Sequence, residues 1–501
     1  MDFTNLYSSL NHIIPEISIA FFLMAIVGVD LIFDKEKKYI PYIAIIGLLV
    51  TGYLLIGQLG TSGSAFALSS SKNSGMIAVD PYGIYFKLLI VLSSLIIVLF
   101  SMSSLEIEKV FARQGEYYAL MFGMILGMML MVSAVDMILI YLSIELLSLS
   151  SYVLAGFTKL RNRNSEAALK YIIYGSAASG MMLFGISLLY GLTGNTNIFE
   201  INTLLQTTDI NLFTLSLSVI LIFVGLGFKL SAVPFHFWTP DIYEGSPIAI
   251  TAYLSVASKA AAFAILIRFV RVTFVQSIDV DGYWNMISIF DWQTLLILIS
   301  LLTMTLGNFT ALWQNNLKRL LAYSSIAHAG YILLGFAVLS HAGVVAVMLY
   351  FFAYLLMNLG AFYVVMLISD KTGSEDINDL DGLGFSSPLL AVPLSILFIA
   401  LAGVPPTFGF IAKLNLFAAV IDAGLITVVV IALLNTVVSV YYYSRIFKHL
   451  YFAKTNNQEK IKVSTLQTFL VIILTGFVLL FGIFFQPVIE FVTNSAIFLT
   501  F

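Results

Sequence analysis

Gly225-Leu-Gly-Phe-Lys229-Leu-Ser-Ala-Val-Pro234-Phe-His236-Phe-Trp-Thr-Pro240 closes an apolar run that begins near residue 212. The run has the length of a membrane-crossing helix, ~20 apolar residues for a hydrocarbon core ~30 Å thick. Its end departs from such a helix twice: Lys229 stands within the apolar stretch, and Pro234 follows shortly after. Proline removes a backbone donor and clashes with the preceding turn, so the helix breaks there. The freed backbone groups are tolerable at membrane depth only beside protein or water. A second stretch repeats the arrangement: Gly403-Val-Pro405-Pro406-Thr-Phe-Gly409 interrupts another apolar run, and Lys413 follows it. The rest of the chain is read outward from these two breaks.

The 501 residues are 60% hydrophobic and only 10% charged, with mean hydropathy +0.99. A soluble domain carries about 25% charged residues, so this is a membrane protein. Cysteine is absent, which excludes disulfides, thiolate metal sites and cysteine-ligated iron–sulfur clusters from this chain. A formal charge of -3 and a pI near 6.0 leave no basic excess for nucleic acid. The apolar runs far exceed the ~10-residue alternating segments of a transmembrane strand, so the fold is all-α.

Fourteen spans follow: 13–33, 39–58, 82–102, 117–135, 136–157, 167–190, 212–231, 247–269, 292–312, 321–340, 344–369, 389–419, 421–444 and 466–486. With alternate loops assigned to the cytoplasm, seventeen of the 24 Lys and Arg residues fall on that side, among them Lys35, Lys170, Lys318, Arg319 and Lys454. Three (Lys72, Arg268 and Arg271) fall opposite, and four (Lys87, Lys229, Lys259 and Lys413) fall within spans. The bias places both termini outside, and one span more or fewer would scramble it. The first basic residue, Lys35, follows the first span, so that helix is expected to be retained rather than cleaved.

The two breaks lie at equivalent distances from residues 117 and 292, where spans 4 and 9 begin. Spans 4–8 and 9–13 are therefore expected to form two five-helix repeats, and an odd helix number makes the second inverted. The chain then divides into 1–116 (spans 1–3), 117–271 (first repeat), 292–444 (second repeat) and 445–501 (a cytoplasmic loop and span 14). The competing reading is that prolines simply occur in membrane helices.

A charge at the bilayer centre costs ~2.5 kcal/mol or more on insertion scales, so an intramembrane ionisable residue is a functional candidate by default. Four stand out: Glu145 in span 5, Lys229 before the first break, Lys259 mid-span in the eighth, and Lys413 after the second break. A lysine loses proton affinity on desolvation and regains it beside a carboxylate, which suits proton relay. Glu145 and Lys229 are expected within salt-bridge or single-water distance. Three lysines against one prominent acid make poor structural glue. His236, beside the first break, and His328, early in span 10, are candidate bridging groups as well as ordinary packing residues. Lys87 is expected to snorkel to the interface. Gly123-x-x-x-Gly127 and the small residues of 175–180 permit close helix packing and need no further role.

The stretch Lys229–Pro247, followed by Lys259, resembles the signature of the antiporter-like membrane subunits of proton-pumping NADH:quinone oxidoreductase, respiratory complex I. Asn316-Leu-Lys-Arg-Leu-Leu-Ala-Tyr-Ser-Ser-Ile-Ala-His328-Ala-Gly-Tyr331 is similar to the family's second signature. A lysine at 413, where subunit M typically carries glutamate, and the lack of a long lateral helix resemble the subunit N branch, called subunit 2 in organelles. The resemblance implies that Glu145, Lys229, Lys259 and Lys413 transfer protons. It implies that flavin, iron–sulfur clusters and NADH binding belong to partner subunits, with no cofactor here. It implies membrane partners (subunits M, L, K and J), a peripheral arm beyond them, and a place in the inner membrane. A subunit of a multi-subunit cation/proton antiporter remains the alternative function.

Overall fold

The structure, a computed structural model, describes residues 3–33, 37–67, 75–159, 162–453 and 460–499. Lys35, Lys72, Arg161 and Lys454, counted above for orientation, lie outside the described residues. Among the described residues thirteen helices are long and apolar enough to cross a membrane, or up to fourteen when the bent pair Ile377–Ser386 and Pro388–Ala402 is counted as one span. In chain order they are α1 (Ile14–Ile32), α2 (Ile40–Gly57), α3 (Pro81–Ser103), α4 (Gln114–Ser133), α5 (Met137–Ala155), α6 (Asn162–Thr193) and α7a (Leu212–Leu230). There follow the short α7b (Trp238–Gly245), α8 (Ile248–Phe274), α9 (Trp292–Ala311), α10 (Leu317–Ala337) and α11 (His341–Thr372). The chain closes with α12a (Pro388–Ala402), α12b (Phe408–Asp422), α13 (Ile426–Phe447) and α14 (Thr465–Ile483). The chain is a multi-pass, all-α membrane protein. Among the described residues the strands are confined to two small antiparallel hairpins, Gly63–Ala65 with Ile77–Val79 and Val275–Ile278 with Trp284–Met286.

Both breaks fall where the prolines stand. α7a ends at Leu230, Ser231 turns left-handed (φ 60°), and the helix resumes as α7b. α12a ends at Ala402, Gly403 turns left-handed (φ 82°), and α12b starts at Phe408. Val233–Pro234 and Pro405–Pro406 are cis.

Lipid is as apolar as leucine, so what decides which helices occupy the interior is close packing and polar contact. α8, α10 and α11 form that interior and are almost wholly buried, whereas α1, α6, α13 and α14 present most of their surface outward. α8 is rich in alanine and admits polar partners across the packing. Ser94 Oγ and Tyr253 Oη share a hydrogen bond of 2.5 Å, and Asn358 Nδ2 donates to Ser255 Oγ at 2.6 Å. Its middle is a π-helical turn, Leu254–Ser258, immediately before Lys259.

Several charges assigned to loops belong to helices. Arg268 lies within α8, fully buried, and forms a two-pronged pair with Asp80, both N–O distances being 2.7 Å. Burial pushes the Asp80 carboxyl up, but the Arg268 guanidinium outweighs it and holds the group below the ordinary carboxylate value. Asp80 also accepts from the backbone of Gly83 at 2.8 Å and of Leu499 at 2.9 Å. At the opposite end of α8, the short α7b is clamped by charge. Arg319 reaches Asp241 (2.9 Å) and Glu244 (2.8 Å), and Lys170 reaches Asp241 at 2.6 Å. Lys87 does not snorkel: it is buried and pairs with Glu16 of α1 at 2.6 Å. A partner contributed by a distant part of the chain outweighs the short route to the interface.

Candidate functional site

α10 supplies the frame of the site. Ser325, His328 and Tyr331 follow one another at three-residue spacing, so they occupy one face of the helix and climb it by ~4.5 Å per step. His328 is mid-helix rather than early in the span, and buried.

Lys259 meets the first of these. Its ammonium donates to Ser325 Oγ at 2.7 Å and to the Ser325 carbonyl at 3.1 Å, with the Tyr243 ring 6.0 Å away. A π-helical turn widens the helix and is often placed at functional positions. Here it immediately precedes the lysine on the helix that faces α10.

Lys413 meets the last. Its ammonium stands 4.9 Å from the centre of the Tyr331 ring and donates to the carbonyls of Leu401 (3.2 Å) and Ala402 (2.9 Å). These are carbonyls that the break leaves open at the end of α12a, where the helix dipole is negative. The break that proline enforces therefore makes the seat of the lysine that follows it. Tyr331 is held in turn by Asn308 Nδ2 (3.3 Å) and Thr436 Oγ1 (3.2 Å), which donate to its hydroxyl.

His328 stands between. Its Nδ1 shares a hydrogen bond of 2.8 Å with Tyr350 Oη, its ring lies 5.1 Å from that of Tyr354, and it is in the electrostatic field of both Lys259 and Lys413. The structure thus brings Lys259, His328 and Lys413 together along α10.

Lys229 is set apart from that line. It is buried at the end of α7a among the rings of Tyr152, Tyr171 and Phe228, 5.5, 5.6 and 5.7 Å from its ammonium. Its Nζ has no hydrogen-bond partner among the described residues, nor has Oε1 of Glu145. Glu145 acts on Lys229 through its field, but no direct ion pair joins them, contrary to the salt-bridge half of the expectation. Glu145 is partly buried, with its Oε1 shielded from the surface. His236 lies on the first break with its ring 4.4 Å from that of Phe237.

Sequence reasoning passed over Ser325, Tyr331 and Tyr350. The signal for the first two was present: both lie in the 316–331 stretch, three residues to either side of His328. Tyr350 comes from α11, and no local pattern ties it to His328. No group of three or more His, Asp or Glu residues is placed to hold a metal ion among the described residues.

Comparison with known proteins agrees with this architecture. Residues 134–439 match the family described as NADH:quinone oxidoreductase/Mrp antiporter, transmembrane. NADH-quinone oxidoreductase subunit N 2 of Chloroherpeton thalassium is 46% identical over 480 residues, which is 95% of this chain and 92% of that one. A chain in the structure of respiratory complex I from Thermus thermophilus superposes with a TM-score of 0.77 at 30% identity, covering 95% of this chain and 98% of that one. A chain of the Mrp complex from Dietzia sp. superposes at 0.82 with 21% identity, over 97% of each chain, a likeness of fold alone. By the family match over 134–439 and the identity over nearly its whole length, the chain, with its two broken helices and buried lysines, belongs to the NADH:quinone oxidoreductase/Mrp antiporter family of membrane subunits, in the subunit N branch.

Proposed function

We propose that this chain is a proton-translocating membrane subunit of an NADH:quinone oxidoreductase, driven by redox chemistry carried out in partner subunits. The observation that carries the reading is the line from Lys259 through Ser325 and His328 to Lys413. It places two buried, deprotonatable amines at the two ends of one helix face with an imidazole between them. Isolated buried charges are costly in a membrane, and a structural role would be served by paired ones. In this reading Glu145, Lys229, Lys259 and Lys413 transfer protons, His328 bridges Lys259 and Lys413, and His236 relays at the first break. Protons arrive near Lys229, pass Lys259 and leave near Lys413, with water spanning gaps too long for direct hydrogen bonds.

The same reading assigns 117–271 and 292–444 as inverted repeats, flanked by 1–116 and 445–501, with Pro234, Pro405 and Pro406 breaking the seventh and twelfth spans. It places the chain in the inner membrane with both termini on the outer side. Its neighbours are membrane subunits M, L, K and J, and through them a peripheral arm that carries the flavin and iron–sulfur clusters. The high identity to a protein named subunit N over nearly the whole chain supports this above the antiporter alternative, which shares the family description and a likeness of fold. Affinity isolation of the tagged chain from its own membranes is the test. Co-isolation of an iron–sulfur-bearing arm with NADH-driven quinone reduction is expected, and a complex of antiporter-like subunits without iron would overturn it.

A further inference from the structure

Lys229 has no hydrogen-bond partner among the described residues, yet its surroundings are ordered. Tyr152 of α5 and Tyr171 of α6 meet edge to face, ring centres 4.6 Å apart, and both stand within 6 Å of the ammonium. Tyr171 stacks flat on Trp238 at 4.7 Å, and the Trp238 indole donates to the Phe228 carbonyl at 2.8 Å. Phe228 is the residue before Lys229, so the aromatic group is fastened to the helix end that presents the lysine. A ring face attracts an ammonium through its quadrupole, most strongly where water is excluded.

Glu145 and Tyr152 are seven residues apart on α5, which is two turns, the same side of the helix, and ~10 Å of rise. The ammonium stands 5.5 Å from the Tyr152 ring and makes no ion pair with the carboxylate two turns away. We propose that Tyr152 is a positioning residue for Lys229: with Tyr171 it forms a π-seat that holds the ammonium off Glu145, and pairing with Glu145 requires leaving that seat. The inference rests on the reading of Lys229 as a proton-transfer group. Gly175 of α6 makes the seat fit. A Cβ there would stand 1.8 Å from the Tyr152 hydroxyl oxygen and 2.5 Å from Cζ, so only glycine leaves the ring its place.

Three variants of the assembled complex test this, with NADH-driven proton pumping measured in membrane vesicles across pH and assembly checked on a native gel. Tyr152→Phe keeps the ring and retains most of the pumping rate. Tyr152→Leu removes it and lowers pumping by about fivefold with a displaced pH optimum. Gly175→Ala, which drives a methyl group into the hydroxyl's niche, shifts the pH optimum in the same direction as Tyr152→Leu. A Phe variant as impaired as the Leu variant would assign the effect to the hydroxyl and overturn the π-seat, as would wild-type rate and pH profile in Tyr152→Leu. If Tyr152→Leu does not assemble, a wild-type profile in Gly175→Ala overturns the proposal. Lys229→Met runs alongside: normal pumping in it sinks the Lys229 reading itself, whereas an inactive Lys229→Met beside a normal Tyr152→Leu sinks only the seat.

Discussion

Lys413 donates to the Ala402 carbonyl at 2.9 Å and so caps, from beyond the break, the helix that stops at that residue. An anchor and a proton carrier both explain the contact, and arginine separates them. Arginine can donate to the same carbonyls but stays protonated at any physiological pH. Lys413→Ala is expected to abolish proton transfer through this subunit and Lys413→Arg to be nearly as damaging, with assembly confirmed on a native gel. Wild-type pumping in Lys413→Arg would remove Lys413 from the pathway.

Ser325 holds Lys259 through its hydroxyl and its backbone carbonyl. Ser325→Ala removes the first and leaves the second. Hydrogen bonds to charged groups are worth ~1.5–3 kcal/mol, so a loss of pumping of about 10-fold is expected, smaller than that of Lys259→Met. Ser325→Thr keeps the hydroxyl and should restore most of the rate. Equal loss in the Ala and Thr variants would show that bulk, not the hydroxyl, matters at this position.

The Asp80–Arg268 pair predicts acid sensitivity. Because the folded protein holds the Asp80 carboxyl below its ordinary value, the pair contributes stability at neutral pH that is lost as pH falls through the folded-state value. Asp80→Asn leaves Arg268 buried and uncompensated, at a cost of about 3–5 kcal/mol. The measurement is thermal unfolding of the detergent-solubilised complex at several pH values. The wild type should lose stability at acid pH through this pair, and the variant, already destabilised at neutral pH, should show a flatter profile. Parallel profiles would mean that Asp80 is not the group responsible.

Topology is tested without any structure. Reporter fusions at Phe501 and at Asn456 should report opposite sides of the membrane, as the distribution of basic residues requires. The same side for both would mean a miscounted span.

What was legible in the sequence is local. Prolines beside apolar runs announce the breaks at 231–237 and 403–407, and a lysine inside such a run announces itself, because breaker chemistry and desolvation cost need no partner to be recognised. Contacts over long sequence separations were not legible. Hydropathy ends the eighth span at residue 269, with Arg268 counted on the outer side and Arg271 just beyond, whereas the helix continues to Phe274 and Arg268 is buried within it, paired with Asp80 188 residues earlier. Lys87 read as an interface residue for the same reason, its partner Glu16 lying on another helix. Helices α6 and α11 overrun their apolar segments, since a helix does not stop where the hydrocarbon does. In the candidate site the lysines were visible and their seats were not: Ser325, the Tyr331 ring and the open carbonyls of α12a become a site only when α8, α10 and α12 pack together.

Segment 497–499 lies along residues 80–82: Tyr82 donates its backbone N–H to the Ile497 carbonyl at 3.1 Å, Leu499 donates to Asp80, and Phe498 stacks on Tyr82 at 4.0 Å. During synthesis Asp80 leaves the ribosome 419 residues before Leu499, so the junction of α3 with α8 cannot be finished until nearly all the other spans have been inserted. A chain halted after α13 would hold every residue of the lysine line and still lack the backbone donor that completes the acid partner of Arg268. The order of translation thus makes this corner one of the last contacts among the described residues to form.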